Sequence, residues 1–234
     1  MSGMVDVDFE GIMLRLLHER GVYWPDQGIL FVSDPHFGKE ATFRRHAIPV
    51  PRGGTAGTLR RIASMLDATG ARRLVILGDM FHARSSLSSD VLDSMDRFFE
   101  EHDRLECTLV RGNHDAWIGS LPSGWPIAIV DPGERIERLA MGHSPSDYEA
   151  GMELMLCGHV HPAVWFGAGD DRLRLACYWQ RQRLLHLPAI GRFTGTHTIR
   201  PRRGDRVWMV TDQQVIEKRS KVGRGTVRSP IDHT

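Results

Sequence analysis

Short apolar runs that stop at Asp, Gly, Asn or His alternate with stretches of helical spacing through the first half of the chain. Ile29 to Ser33 leads directly into Asp34-Pro35-His36, Arg73 to Leu77 ends at Gly78-Asp79, and Leu105 to Val110 ends at Gly112-Asn113-His114-Asp115. Between them, Thr55 to Ala68 repeats Leu59, Ile62, Ala63 and Leu66 at helical spacing, with Gly70 placed to stop it. Ser88 to Glu101 sets Val91, Leu92, Met95 and Phe98 on one helical face. Strand and helix in alternation predict an α/β architecture.

After Asp115 the helical periodicity stops. Ile127 to Asp131, Arg135 to Met141, Glu153 to Cys157, Ala163 to Phe166, Leu173 to Trp179 and Val207 to Val210 read as strands separated by Gly, Pro and Asp turns. The segment before Ile29 is too mixed in pattern to assign beyond a strand or two. These elements are expected to form one domain over residues 1–217. Residues 218–234 read as a basic, poorly ordered tail.

The 234 residues are 41% apolar, enough for a sizeable core and against intrinsic disorder. No apolar run approaches the roughly 18 residues of a membrane helix. Asp6, Asp8 and Glu10 stand where a secretory signal needs a basic start and an apolar stretch. Three widely spaced cysteines, Cys107, Cys157 and Cys177, match neither a disulfide framework nor a zinc knuckle, and read as reduced, buried thiols of a cytoplasmic protein. The net charge of +1 divides into about +5 over residues 200–234 and −4 over the rest, so the basic end is a candidate for approach to nucleic acid. Oligomeric state stays open, a homodimer included.

In an open α/β sheet, loops leaving the carboxyl ends of the strands line one crevice, so ligands distant in sequence can converge there. Asp34, His36, Asp79 and Asn113 follow the first three strands; His143, His159 and His161 follow strands of the β-rich half. Two carboxylates, one amide oxygen and four imidazoles suit Mn²⁺, Fe²⁺ or Zn²⁺ better than Ca²⁺ or Mg²⁺. One ion with seven protein ligands would leave no open position, so two ions sharing Asp79 fit better. Asp34, His36, Asp79 and His161 would hold one, and Asp79, Asn113, His143 and His159 the other. Two divalent ions against two aspartates leave positive charge for a bridging hydroxide and an anionic substrate, which points to phosphate esters.

The blocks DPH (34–36), GD (78–79), GNHD (112–115), His143 and GHVH (158–161), in that order, resemble the calcineurin-like metallophosphoesterase superfamily. That resemblance implies a two-sheet β-sandwich flanked by helices in four layers, with two divalent ions, most readily Mn²⁺. It also implies that His114 protonates the leaving oxygen while Asp115 orients its ring. The stretches at 23–25, 38–53, 68–84, 158–164 and 187–195 look like the bacterial DNA ligase-associated members. Their resemblance implies a DNA substrate and the functional company of a DNA ligase, a helicase and a nuclease-like metallohydrolase. Pro35 replaces the usual Leu between the first two ligands, and His82 stands where many superfamily members carry Asp or Arg. Lys39, Arg44, His82, Arg84 and Arg111 flank ligand-bearing strand ends and are candidates to contact phosphate, Arg44 and Arg84 foremost, because guanidinium binds phosphate in a bidentate fork. The alternatives are an enzyme acting on a small nucleotide and a repair scaffold without turnover.

Overall fold

The computed structural model describes residues 3–83, 86–115, 119–169 and 171–218. Arg84 and the tail from residue 219 lie outside the described residues. A first sheet of seven strands runs in the spatial order β1 (Met4–Phe9), β2 (Ile12–Leu17), β3 (Val22–Trp24), β4 (Ile29–Val32), β5 (Arg73–Leu77), β6 (Glu106–Val110) and β7 (Ile127–Val130). The pairs from β1 to β4 are antiparallel, and those from β4 to β7 are parallel. The crossovers are helical: α1 (Lys39–Arg45) and α2 (Gly54–Thr69) precede β5, and α3 (Ser89–Glu101) precedes β6.

The second sheet has nine strands: β8 (Arg135–Ile136), β9 (Leu139–Met141), β10 (Leu154–Cys157), β11 (Pro162–Phe166), β12 (Leu173–Arg181), β13 (Leu184–His186), β14 (His197–Thr198), β15 (Arg206–Val210) and β16 (Val215–Glu217). Its centre, β9–β10–β13, is parallel.

The central strands read as unbroken apolar runs because both of their faces are buried. In β4, Ile29 and Phe31 face the second sheet while Leu30 and Val32 face the helices; in β5, Val75 and Leu77 divide from Leu74 and Ile76 in the same way. One core therefore lies between the sheets, with Leu14, Leu16, Leu156, Leu185 and Trp208, and another lies between the first sheet and Leu59, Ile62, Met65, Met95 and Phe98 of α2 and α3. Truncating such a buried residue to Ala costs about 2–5 kcal/mol. Tyr178 crosses the sandwich, its hydroxyl 2.7 Å from the Leu17 and Gly21 carbonyls.

The expected sandwich is present, with its α-helices packed on the first sheet. Among the described residues no α-helix covers the second sheet; Val164, Cys177, Trp179 and Ile199 form a smaller cluster there. The expected strand over Arg135 to Met141 is a hairpin of two short strands, turned at Glu137 (φ 52°).

Candidate metal centre

The parallel strands deliver the motif residues to one end of the sandwich. Asp34 and His36 follow β4, Asp79 follows β5, Asn113 and His114 follow β6, His143 follows β9, and His159 and His161 follow β10. Five of these have left-handed backbone: Asp34 (φ 51°), His36 (44°), Asp79 (50°), His159 (66°) and His161 (50°). Each costs roughly 1–3 kcal/mol for a non-glycine residue and persists only where neighbours enforce it. Here the Asp34 amide donates to the Gly78 carbonyl (3.3 Å), the His36 amide to the Asp79 carbonyl (3.1 Å), and the His159 amide to Asp34 Oδ2 (3.0 Å). These kinks end strand alternation, so Asp34 with His36, and His159 with His161, can aim into one space.

Besides a group of His36, His82 and His114, two groups made of predicted ligands result, each drawn within 4.8 Å: Asp34, His36 and His161, and Asp79, His143 and His159. His36 Nε2 is 3.8 Å from Asp79 Oδ2, and His143 Nε2 is 3.5 Å from Asp79 Oδ1, which places Asp79 between the groups. His161 Nε2 and Asp34 Oδ1 are 3.1 Å apart, yet their angles make no hydrogen bond, and both are buried without a partner. Both ring nitrogens of His36 are likewise buried and unpartnered. His143 Nδ1 donates to the Leu77 carbonyl (3.0 Å), which leaves the lone pair of Nε2 directed at His159 Nδ1, 3.2 Å away. Orphaned buried nitrogens and oxygens are costly unless something outside the protein satisfies them. Borderline divalent cations fit this mixture of imidazole and carboxylate.

Electrostatics favours the ligating forms. Burial pushes the His36 imidazole down to about 3, so the ring is neutral and one nitrogen lone pair is free at neutral pH. For Asp34, burial works to raise the carboxyl, but contact with His161 and the charges of His161, His143 and His36 hold it below the usual carboxylate range.

The glycines of the motif have a role that reading for ligands missed. A Cβ at Gly78 would strike the His143 ring, one at Gly112 the Asp79 amide and carboxylate, and one at Gly158 the Asp34 carboxylate. Each glycine lets its strand end lie against a candidate ligand from a different strand. The recurrence of Gly just before each of these ligand pairs was the available signal. Asp147 was also missed: its carboxylate accepts from the His143 and Ser144 amides (both 2.8 Å) and fixes the loop beneath the ring.

Asn113 is exposed, between Gly112 and His114, whose backbones both touch Asp79. His114 is half-buried. Its amide donates to Asp79 Oδ1 (2.9 Å), and its Nε2 is 3.9 Å from Asp79 Oδ2. The expected ring contact with Asp115 is absent: His114 Nδ1 pairs with the His82 carbonyl at 2.8 Å. Asp115 instead accepts from the amides of Gly112 (2.9 Å) and Met80 (3.0 Å), pinning the post-β6 turn to the post-β5 loop. A carboxylate takes backbone N–H groups readily, and the His82 carbonyl already occupies the ring nitrogen.

Among the candidate phosphate contacts, Lys39 begins α1 and is half-buried, its amine pushed down by burial while the Asp79 and Asp34 charges oppose that. The His82 ring lies 5.1 Å from that of His114 and 5.6 Å from that of His36. Arg44 sits elsewhere, in a crevice between α1, α2 and α3 beside Glu40, Ser88 and Asp90. Arg111 is exposed and paired with Asp131 (3.2 Å). Arg84 lies outside the described residues.

The model of the calcineurin-like phosphoesterase family matches residues 28–143, a span holding Asp34, His36, Asp79, Asn113, His114 and His143. The crystal structure of Pseudomonas putida nuclease MPE is 31% identical, covers 92% of this chain and 100% of its own, and superposes with a TM-score of 0.80. YfcE, a phosphoesterase from E. coli, is 19% identical over 79% of this chain and 88% of its own, with a TM-score of 0.39. Among curated protein sequences none matches. With the family's ligand blocks on strand ends that converge, and a solved nuclease of the same architecture along nearly its whole length, the chain belongs to the calcineurin-like phosphoesterase family of metal-dependent enzymes.

Proposed function

We propose that the protein is a binuclear metal-dependent phosphodiesterase acting on DNA, as an endonuclease or in processing DNA ends, within ligase-associated repair in the cytoplasm. The observation that carries this reading is the pair of ligand groups sharing Asp79, with the half-exposed His114 Nε2 turned toward the same carboxylate. Asp34, His36, Asp79 and His161 would hold one ion, and Asp79, Asn113, His143 and His159 the other, with Asp79 shared between them. Mn²⁺ is the first choice for this donor set, with Fe²⁺ and Zn²⁺ also accommodated. Bound there, the ions supply Lewis-acid charge and an activated water for in-line attack at phosphorus.

The chain's own residues do the rest. With Nδ1–H given to the His82 carbonyl, His114 presents Nε2 as the proton donor to the departing oxygen. Asp115 holds the turn that presents His114. Lys39, beside His36, offers positive charge to the phosphoryl oxygens, and the His82 imidazole, held neutral by burial, a hydrogen bond. Likeness to a nuclease supports nucleic acid as substrate; the resemblance to the ligase-associated members adds a DNA ligase, a helicase and a nuclease-like metallohydrolase as proposed functional partners.

The test is hydrolysis of bis-p-nitrophenyl phosphate and of end-labelled single- and double-stranded DNA by the Mn²⁺-loaded protein, with a panel of nucleotides as competitors. Cleavage of DNA that nucleotides inhibit only weakly is the expected result. Inertness toward every substrate would overturn the reading, and preference for a nucleotide would move it to a small-molecule enzyme.

A further inference from the structure

The segment between β13 and β14 runs antiparallel to α2, close beside the metal centre. It is anchored to the first ligand strand, with the Ile190 amide donating to the Ser33 carbonyl (3.0 Å) and the Gly191 amide to the Asp34 carbonyl (3.3 Å). Phe193 lies over Gly54, where a Cβ would come 2.6 Å from its ring, and Arg192 lies over Gly57, 2.9 Å from the corresponding position. Arg61 donates to the Ile190 carbonyl (3.2 Å), and Arg20 to the Ala189 carbonyl (3.0 Å). Residues 54, 57 and 61 share one helical face, so the aromatic ring and the first two guanidiniums form a row about 10 Å long at 1.5 Å rise per residue. Phe193 and Arg192 line one crevice with Pro35, His36 and Lys39, so the row starts at the metal centre.

Among the described residues no acidic side chain forms an ion pair with Arg192 at the near end of this row, and Arg20 and Arg61 form none either. Burial and mutual charge lower the Arg20 and Arg61 guanidiniums, an arrangement that an external anion would relieve. Glu19 and Asp212 offset part of the charge at Arg20 and Arg61; Arg192 is exposed. Glu40, beneath Phe193, is committed to the Thr55 amide and hydroxyl.

We propose that residues 190–193 and α2 form the track for a single nucleic-acid strand entering the metal centre, with Arg192 and Arg61 on backbone phosphates about two steps apart and Phe193 stacking a base. Phosphates of a stacked strand recur about every 3.4 Å, so the row spans two to three of them. Stacking on an aromatic ring tolerates any base, so the track selects single strands without selecting sequence. The inference rests on the phosphodiesterase reading above and adds how its substrate is held.

The test uses the Mn²⁺-loaded full chain and the variants R192Q, R61Q/R192Q, F193A and R192K. KM for a single-stranded oligodeoxynucleotide is measured across a salt series, and bis-p-nitrophenyl phosphate hydrolysis in parallel. The double variant is expected to raise the oligonucleotide KM about tenfold or more and to flatten the log–log salt slope by about 1.4, at roughly 0.7 per phosphate contact. F193A raises KM about tenfold, R192K retains the wild-type slope, and the small diester is hydrolysed at the wild-type rate throughout. An unchanged KM and slope in a protein that cleaves the oligonucleotide overturns the track and leaves the phosphodiesterase reading standing. Equal loss on both substrates would place Arg192 in the chemistry and also overturns it. A wild-type protein inert on both substrates removes the reading and the track together.

Discussion

Replacing Gly78 by Ala tests whether the motif glycines exist to let ligand strands touch. Gly78 has φ +79°, and an added Cβ would sit 2.5 Å from His143 Cγ and 2.8 Å from its Cβ. Gly28 is the control: φ is +62°, and nothing lies within 4 Å of a Cβ placed there. Left-handed backbone costs Ala about 1–2 kcal/mol at either position. Overpacking adds about 1–3 kcal/mol only at Gly78, because the His143 ring is held by its bond to the Leu77 carbonyl and cannot swing away freely. Urea denaturation in EDTA should therefore show G28A losing about 1–2 kcal/mol and G78A about 2–5 kcal/mol. Since the proposed function makes the shifted ring a metal ligand, Mn²⁺ affinity should fall about 10–100-fold in G78A and stay unchanged in G28A. Equal destabilisation by the two variants with unaltered Mn²⁺ binding would refute the close-approach argument.

Three further outcomes are expected. H114A should lower kcat on DNA by about 10²–10⁴ but reduce hydrolysis of bis-p-nitrophenyl phosphate far less, because p-nitrophenolate departs without a proton; equal losses would deny His114 the role of acid. D115N puts an amide donor against the Gly112, Met80 or Phe81 amides and should cost about 1–3 kcal/mol in a denaturation midpoint; a neutral effect would contradict the turn-pinning role. Burial pushes the Cys107 and Cys177 thiols up to about 12 and Cys157 higher still. The folded state favours the neutral thiol, so this contribution is complete below the ordinary value of 9.0 and is lost as pH rises toward 12, while Ellman's reagent at pH 8 should react only after urea is added.

Much of the fold is legible because burial on two faces leaves a local mark. β4, β5 and β10 are apolar at nearly every position, and α2 and α3 carry one apolar stripe. The N-terminal hairpin is hidden because its turn uses Glu10 in a left-handed conformation ahead of Gly11, where Asn or Asp would have been the cue. α1 is seven residues, KEATFRR, with no apolar period; it is held through Glu40 and the Gly38 amide, both bonded to Thr55. β13 is three residues long and is placed by β10 and β12.

The sequence by itself determined which candidate ligands stand at strand ends, since a strand's exit and the residues just after it are neighbours in the chain. Only the tertiary structure decided what those residues meet. Asp34 finds the His159 amide 125 residues away, the His114 ring takes the His82 carbonyl and not Asp115, and Arg44 lies in another crevice while Arg192 and Phe193 line the one beside His36. Periodicity reports which way a side chain faces on its own element. It carries no information about which distant backbone crosses that face, and in this protein those crossings hold the candidate ligands at φ angles that no local preference would choose.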